Sequence, residues 1–396
     1  MRIPWVLLIV TLALNILVDV YLYNIADKRT KSPTLKRLQL FSSIALYMLI
    51  VIALCLPRKS GGDSELITIM WLLFTYFSFY IAKYIFVLFD LLASIPRLFK
   101  RKRLKIVSIA GGVLALAVFF SMWWGALVNR FMIDVKQVDI EIKNLPRSFD
   151  GFTILQFSDF HVGTYGNDTV FVEKTVEKIN SLNPDLIVFT GDIVNRRTSE
   201  ISPFVEILSK LHSPYGVYSI LGNHDYGDYS VWASDEAKQA NMDSLYRFNR
   251  EMGWRLLRNE YEWIKSGNDS IAIIGVENIG DPPFPKYGSL KDAYPDLKDE
   301  NVKILLSHNP AHWVDEVSVD NSMNIDLTLS GHTHAMQIEV MGFSPAKYRY
   351  PTWGGLYKDE DSDRYLYVNI GLGTVGIPMR IGATPELTLI TLHPSR

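Results

Sequence analysis

Cysteine is almost absent from this chain of 396 residues: Cys55 is the only one, and it lies in an apolar run. No disulfide can form within the chain, and any metal it holds must be bound by His, Asp or Asn rather than by thiolate. A surplus of charge is missing too. The 40 basic and 42 acidic residues leave a formal charge of −2, so there is no bulk electrostatic case for a nucleic-acid partner. Internal repeats and low-complexity tracts are also lacking. The first 130 residues are mostly apolar and aromatic, with acidic residues few, whereas the remainder has the mixture of a soluble domain.

What fills the first part is apolar sequence. Stretches at about 5–24, 38–56, 66–92 and 106–128 each approach or exceed the roughly 20 residues a helix needs to cross a bilayer. The second and fourth carry no charge, and neither has the polar face of a surface helix. No small-x-small cleavage site follows the first, so it reads as a retained span. The first contains Asn15 and Asp19, and the third Lys83 and Asp90. Intramembrane charge can mark a transport path, but here the charges are expected to lie near helix ends and reach the interface. Lys28, Arg29, Lys31, Lys36 and Arg37 occupy the first loop, and Arg97, Lys100, Arg101, Lys102, Arg103 and Lys105 the third. Arg2, Arg58 and Lys59 lie on the other side. The positive-inside rule places the first and third loops in the cytoplasm. The expectation is an integral protein of the plasma (inner) membrane with its C-terminal domain on the non-cytoplasmic side.

Residues 131–150 read as an entry strand and linker, with Val138, Ile140 and Ile142 alternating against Asp139, Glu141 and Lys143. From 151 to 396 apolar runs alternate with segments of helical spacing, including 169–182, 201–211 and 230–250. This pattern implies a mixed sheet layered by helices. Ligand loops then lie at the carboxyl ends of strands. The Pro-, Gly- and Asp-rich stretch 278–300 reads as a long loop able to cover a site.

Five motifs sit at such ends: Asp159-Phe160-His161, Gly191-Asp192, Gly222-Asn223-His224-Asp225, Ser307-His308 and Gly331-His332-Thr333-His334. Structural histidines would be scattered, yet His161, His224, His308, His332 and His334 all fall within these motifs. Paired divalent ions need a bridging ligand, and a carboxylate can face both; Asp192 is the choice. On an extended segment Asp159 and His161 would point to one side and share one ion. His332 and His334 offer two imidazoles, His308 another, and Asn223 a neutral carbonyl oxygen. Two dications, two ligating aspartates and a bridging hydroxide leave a local charge of about +1, which attracts phosphate. Paired metals lower the pKa of bound water and stabilise attacking and leaving oxygens. His224 is surplus to the ligand count, so it reads as a catalytic residue that stabilises the phosphoryl group or protonates the leaving oxygen. Asp225 would orient it. His312 has the spacing of a helical metal pair, but the ligand set is full without it.

This array resembles the calcineurin-like metallophosphoesterase superfamily across roughly residues 135–396. The resemblance implies a four-layer α/β/β/α sandwich, here preceded by the four-helix transmembrane region. It also implies one metal at Asp159, His161, Asp192 and His334 and a second at Asp192, Asn223, His308 and His332. Such sites accept Mn, Fe or Zn alike. Asn195 matches the last position of the second motif, outside the ligand set, and lacks the tyrosine of purple acid phosphatases. Arg196 matches a phosphate-binding arginine of phosphoprotein phosphatases, but Leu221 replaces their second arginine. Gly371-Leu372-Gly373, Pro378, Arg380, Pro385 and Glu386 are similar to the tail of bacterial membrane-associated members. That branch has Gly-Gly after the last histidine, where this chain has Ala335-Met336. The implied activity is hydrolysis of a phosphate mono- or diester, with lipid-linked esters among the candidates. Lipid-linked nucleotide diphosphates of that branch are made in the cytoplasm, which conflicts with the outward orientation, and the loop charges are given precedence. The competing reading is a membrane receptor or transporter component that binds metal or phosphate without turnover.

Overall fold

The computed structural model describes residues 5–58, 60–281, 285–320, 323–359 and 362–395. Arg2 and Lys59 of the loop count, and residues 282–284 of the long loop, lie outside the described residues. The chain separates into two compact units, Met1–Leu127 with Gly376–Met379 and Val128–Val375 with Arg380–Arg396.

The first unit consists of α1 (Trp5–Ile25), α2 (Pro33–Cys55), α3 (Asp63–Ser94) and α4 (Lys105–Leu127). All four are long and apolar enough to cross a membrane. α2 begins before its apolar run. Pro33 is preset for a first helical turn, and the Ser32 hydroxyl accepts the Leu35 N–H at 3.3 Å. Leu17, Phe41, Ile109 and Phe120 are exposed on the outside of the bundle, as helices facing hydrocarbon require. The charged residues are paired inside the bundle. Lys83 pairs with Asp19 at 2.8 Å, and Asp19 also accepts from Tyr80 at 2.7 Å and Gln39 at 3.1 Å. Asp90, fully buried, takes both guanidinium nitrogens of Arg29 at 2.8 Å, with Tyr21 and Ser108 beside them. Asp90 thus takes its partners from the basic loops, Arg29 from the first and Arg103 from the third. A charge within an apolar medium is far less costly when paired and hydrogen-bonded inside a bundle.

The second unit is built on two six-stranded mixed sheets. The first has the order β1 (Asp134–Ile142), β12 (Glu386–Pro394), β2 (Thr153–Phe157), β3 (Leu186–Phe189), β4 (Val217–Ser219), β5 (Trp254–Leu256). The second runs β10 (Gly355–Lys358), β11 (Tyr365–Val368), β9 (Leu327–Ser330), β8 (Lys303–Leu306), β7 (Asp269–Gly275), β6 (Glu260–Ser266). Central strands are apolar on both faces because both are covered. Ile154, Leu186 and Val188 of one sheet meet Ile273, Ile304 and Leu329 of the other in a shared core. On the outer face of the first sheet, Leu155, Ile187 and Phe189 pack under α5 (Val170–Ser181) and α6 (Asp235–Glu251) through Val172, Val176 and Leu245. Beyond the second sheet, Ile274 and Leu305 pack with Leu290, Trp313 and Val317 of short helices. These are the four layers α/β/β/α.

β2, β3 and β4 are mutually parallel, as are β7, β8, β9 and β11. The turns after β2, β3, β4, β8 and β9 carry the five motifs. Two local expectations change. Residues 201–211 do not form one helix: a 3₁₀ segment Thr198–Phe204 with Pro203 inside precedes a single turn Val205–Leu208, since proline interrupts the hydrogen-bond ladder. The hairpin strand β6 escapes the sequence pattern because it is an edge strand whose apolar residues are interrupted by Glu260, Glu262 and Lys265.

Candidate metal centre

The ligand-bearing turns are strained in a common way. Asp159 (φ 50°), His161 (φ 46°), Asp192 (φ 63°), His332 (φ 77°) and His334 (φ 51°) are all left-handed. This overturns the extended segment expected for Asp159 and His161. Each such residue costs on the order of 1 kcal/mol or more, and the surroundings must hold it. The holding bonds run between loops: Asp159 N–H to Gly191 O at 2.9 Å, His161 N–H to Asp192 O at 3.2 Å, and Gly331 N–H to His308 O at 2.9 Å. Two glycines permit this closeness. A Cβ on Gly222 would overlap the Asp192 carboxylate, and one on Gly331 would overlap Ser158 Oγ and Asp159 Oδ2.

Two groups of ligand atoms result, Asp159/His161/His334 and Asp159/Asp192/His308, each spanning no more than 4.8 Å and each formed of buried residues. His161 Nε2 lies 3.1 Å from His334 Nε2, and His334 Nε2 is 3.2 Å from Asp159 Oδ1. Asp159 is common to both groups, and Asp192 of the second also reaches the first, its Oδ2 3.7 Å from His161 Nε2 and 3.3 Å from His308 Nε2. Asn223 Oδ1 approaches His308 Nε2 at 3.2 Å. His332 belongs to neither group among the described residues. Its ring is 5.1 Å from that of His308, and its Nε2 lies 2.9 Å from Tyr350 Oη; an Nε2–H donated to that oxygen would leave the Nδ1 lone pair for a metal.

These residues suit divalent ions. A backbone carbonyl only accepts, so Val194 O (2.8 Å) and Thr190 O (2.7 Å) place protons on Nδ1 of His161 and His308 and turn Nε2 inward. Burial first, then the neighbouring His224, pushes His161 down to about 3; burial and then His308 does the same to His332. Both rings therefore stay neutral, with lone pairs to donate. Burial alone would raise Asp159 and Asp192, but His334 and His308, respectively, outweigh it and hold both carboxyls below the usual range. Burial would lower His308, yet Asp192 and then Asp159 push it up to about 10. That proton occupies the electrostatic place of a cation, and metal binding would displace it.

His224 is half-buried at the edge of the cluster. Its ring stacks on Tyr229 (4.2 Å, 16°) and meets the His161 ring edge-on at 4.8 Å. Its N–H donates to Asp192 Oδ1 at 2.8 Å, and its Nδ1 lies 2.6 Å from the carbonyl of Asn195. The orienting group is that carbonyl. Asp225 is corrected from partner of His224 to brace of the loops. It accepts the N–H groups of Asp192 (2.8 Å), Ile193 (2.9 Å), Val194 (3.3 Å) and Gly222 (2.9 Å). Burial first and Asp192 second push its carboxyl up to about 7, against those four donors. Arg196 is buried in the turn after β3, its N–H on Glu200 at 3.0 Å. His312 lies apart from the ligands, bonded to Ser307 Oγ at 2.9 Å.

Sequence reading missed Tyr229, Tyr350, the Asn195 carbonyl and the role of Arg380. Arg380 is fully buried, bonded to carbonyls of Gly373, Ala383 and Ile370 at 2.7–3.0 Å, with Nη2 3.3 Å from His334 Nδ1. A carbonyl has no sequence signature. The arginine stood in the tail pattern, but nothing there tied it to a ligand.

Comparison with known proteins gives this centre its family. A family model described as "Calcineurin-like phosphoesterase" matches residues 152–336. The uncharacterized metallophosphoesterase YkuE of Bacillus subtilis is 33% identical over 270 residues, covering 66% of this chain and 86% of the relative. The chain belongs to the calcineurin-like phosphoesterases. It is thus a metal-dependent hydrolase of phosphoric ester bonds. A second family model, "Probable Calcineurin-like phosphoesterase, transmembrane domain", matches residues 1–130, and with the four long apolar helices it makes the chain an integral membrane protein. The transmembrane protein with metallophosphoesterase domain of Danio rerio is 29% identical, covering 77% of this chain and 69% of the relative. The UDP-2,3-diacylglucosamine pyrophosphatase LpxG of Chlamydia trachomatis is 29% identical, covering 62% and 86% respectively.

Proposed function

We propose that this calcineurin-like phosphoesterase holds two divalent ions, drawn from Mn, Fe or Zn, and hydrolyses a phosphate mono- or diester, with a lipid-linked ester as the leading substrate. Asp159, His161, Asp192 and His334 hold one ion, and Asp192, Asn223, His308 and His332 the other. When bound, the ions supply Lewis acidity and an ionised water near neutral pH. The chain's own residues do the rest. Asp192 fixes the spacing of the two halves and the position of the His224 N–H. Asn195 O holds the Nδ1 proton of His224, so Nε2 is the nitrogen free for substrate, and it is a second proton, on Nε2, that would be shared with a phosphoryl oxygen or passed to the leaving oxygen. Arg196 serves as a contact to the phosphate.

The observation that carries this reading is His224, held against the ligand cluster by Tyr229 and Asn195 without being one of its clustered ligands. Protein loaded separately with Mn, Fe and Zn should hydrolyse at least one of a soluble monoester, a soluble diester and a vesicle-held lipid pyrophosphate. Absence of turnover on all three by fully metallated protein would favour a binding role. The lipid preference draws on the name of the chlamydial relative and on the four helices.

The same reading places the protein in the plasma membrane with its second unit outside the cytoplasm, supported by eleven basic residues in the first and third loops against three opposite. Protease added to intact spheroplasts should digest residues beyond about 130; complete protection of them would reverse the orientation.

A further inference from the structure

The segment that leaves the last metal-binding histidine breaks two rules at once. His334, Ala335, Met336 and Gln337 follow one another with φ of 51°, 51°, 46° and 60°. Shortly after, Val340 and Phe343 pair across a hairpin, with N–H···O distances of 2.9 and 3.1 Å. Its two central residues, Met341 (φ 53°) and Gly342 (φ 77°), form a left-handed turn of the kind that selects Asn-Gly. Methionine at the first position is disfavoured there, and it gains nothing from burial, because Met341 is completely exposed.

Its neighbours are also apolar and open to solvent. Val340, Phe343 and Met336 are 56%, 48% and 45% exposed, and Tyr348 is 85% exposed with its ring 6.0 Å from that of Phe343. Lys347 and Arg349, both exposed, bracket Tyr348, and Arg349 is also paired with Asp281 at 2.8 Å. The base of this segment is anchored to the metal centre. Ser344 Oγ donates to Ala335 O at 2.6 Å, Ala346 is fully buried, and Tyr350 Oη contacts His332 Nε2 at 2.9 Å.

We propose that residues 336–349 are a membrane-contact element, with Val340, Met341 and Phe343 entering the acyl boundary and Tyr348, Lys347 and Arg349 lying at headgroup level. An apolar tip rimmed by tyrosine and basic side chains has the composition of an interfacial segment, and the basic rim complements anionic lipid. The bilayer is always present for this chain, since the second unit is covalently joined to α4 through residues 128–133. A hairpin tip is too small to supply the roughly 800 Å² per partner that a stable protein interface buries. The contact would set the rim of the metal centre, through Tyr350 and Ala335, against the membrane surface.

The test uses the full chain in phosphatidylcholine/phosphatidylglycerol vesicles. Cys55→Ala removes the only cysteine, and Met341→Cys then takes an environment-sensitive fluorophore; Lys298→Cys, exposed on the same unit, is the control. Doxyl-labelled lipid is expected to quench the label at position 341 by about twofold or more and to spare the one at 298. Equal quenching at both, or none at 341, overturns the proposal. Self-quenching at 341 that grows with protein density without doxyl quenching would assign the tip to a second copy and overturn it too. Met341→Asn supplies an independent arm because Asn suits the turn. Its melting temperature should be at or above wild type and its turnover of a soluble ester unchanged. Turnover of a vesicle-held ester should fall by about tenfold, the order set by removing one buried apolar side chain. Loss on both esters, or on neither, contradicts membrane contact. The quenching arm is independent of turnover, so it stays readable if the proposed activity fails.

Discussion

Asp192→Asn is expected to strip the centre of metal and lower turnover by roughly 10³-fold or more, since loss of even an outer-shell partner of a metal ligand typically costs 10–100-fold in affinity. The carboxylate lies 3.7 Å from His161 Nε2 and 3.3 Å from His308 Nε2, within reach of a ligand from each group. It also carries the negative charge that keeps His308 protonated without metal and would offset two dications with it. Asparagine keeps the shape and the oxygen that accepts the His224 N–H, so the fold should survive. Metal content by plasma mass spectrometry and turnover of a soluble ester read the result. Full metal content with turnover within about tenfold of wild type would refute the assignment of Asp192 as the shared ligand.

His224→Ala should give the opposite pattern: metal content unchanged and kcat lower by about 10²–10⁴-fold, the usual contribution of a positioned acid or base. The ring is outside the two groups of ligand atoms, although it abuts His161 edge-on at 4.8 Å, and it is held by Tyr229 and Asn195 O. KM should change less than kcat if the ring acts mainly in the transition state. His224→Gln, which retains a hydrogen-bonding group but cannot transfer a proton, separates the two roles. Partial rescue would assign phosphoryl stabilisation, and no rescue would assign proton transfer. Loss of metal together with activity in His224→Ala would move this histidine into the ligand set.

Much of this was readable before any coordinates because two physical signals are strong in one dimension. Strands buried on both faces must be continuous apolar runs, so β2, β3, β8 and β9 stand out, and the polar motifs that interrupt them are conspicuous. Helices that meet hydrocarbon must be long and uncharged, so α2 and α4 are unmistakable. Weak signals failed where the environment rather than the residue type decides. β6 is a polar edge strand, and Pro203 breaks a segment whose spacing is otherwise helical. Asp19, Lys83 and Asp90 give no hint in the sequence of their partners, which come from distant parts of the chain.

The sequence by itself determined the chemistry. Residue types at strand ends, with thiolate unavailable, admit only a His/Asp/Asn metal centre with one histidine in surplus. Tertiary structure alone decided how that centre is held. Five ligands adopt left-handed backbone that no pattern announces. Asp225 braces four amides instead of His224, while a carbonyl of Asn195, invisible as a letter, orients the His224 ring. Tertiary structure also exposed the apolar hairpin at Met341. The reason is common to all of these: side-chain identity is local, but strain, hydrogen-bond partnership and exposure depend on which loops the two sheets bring together.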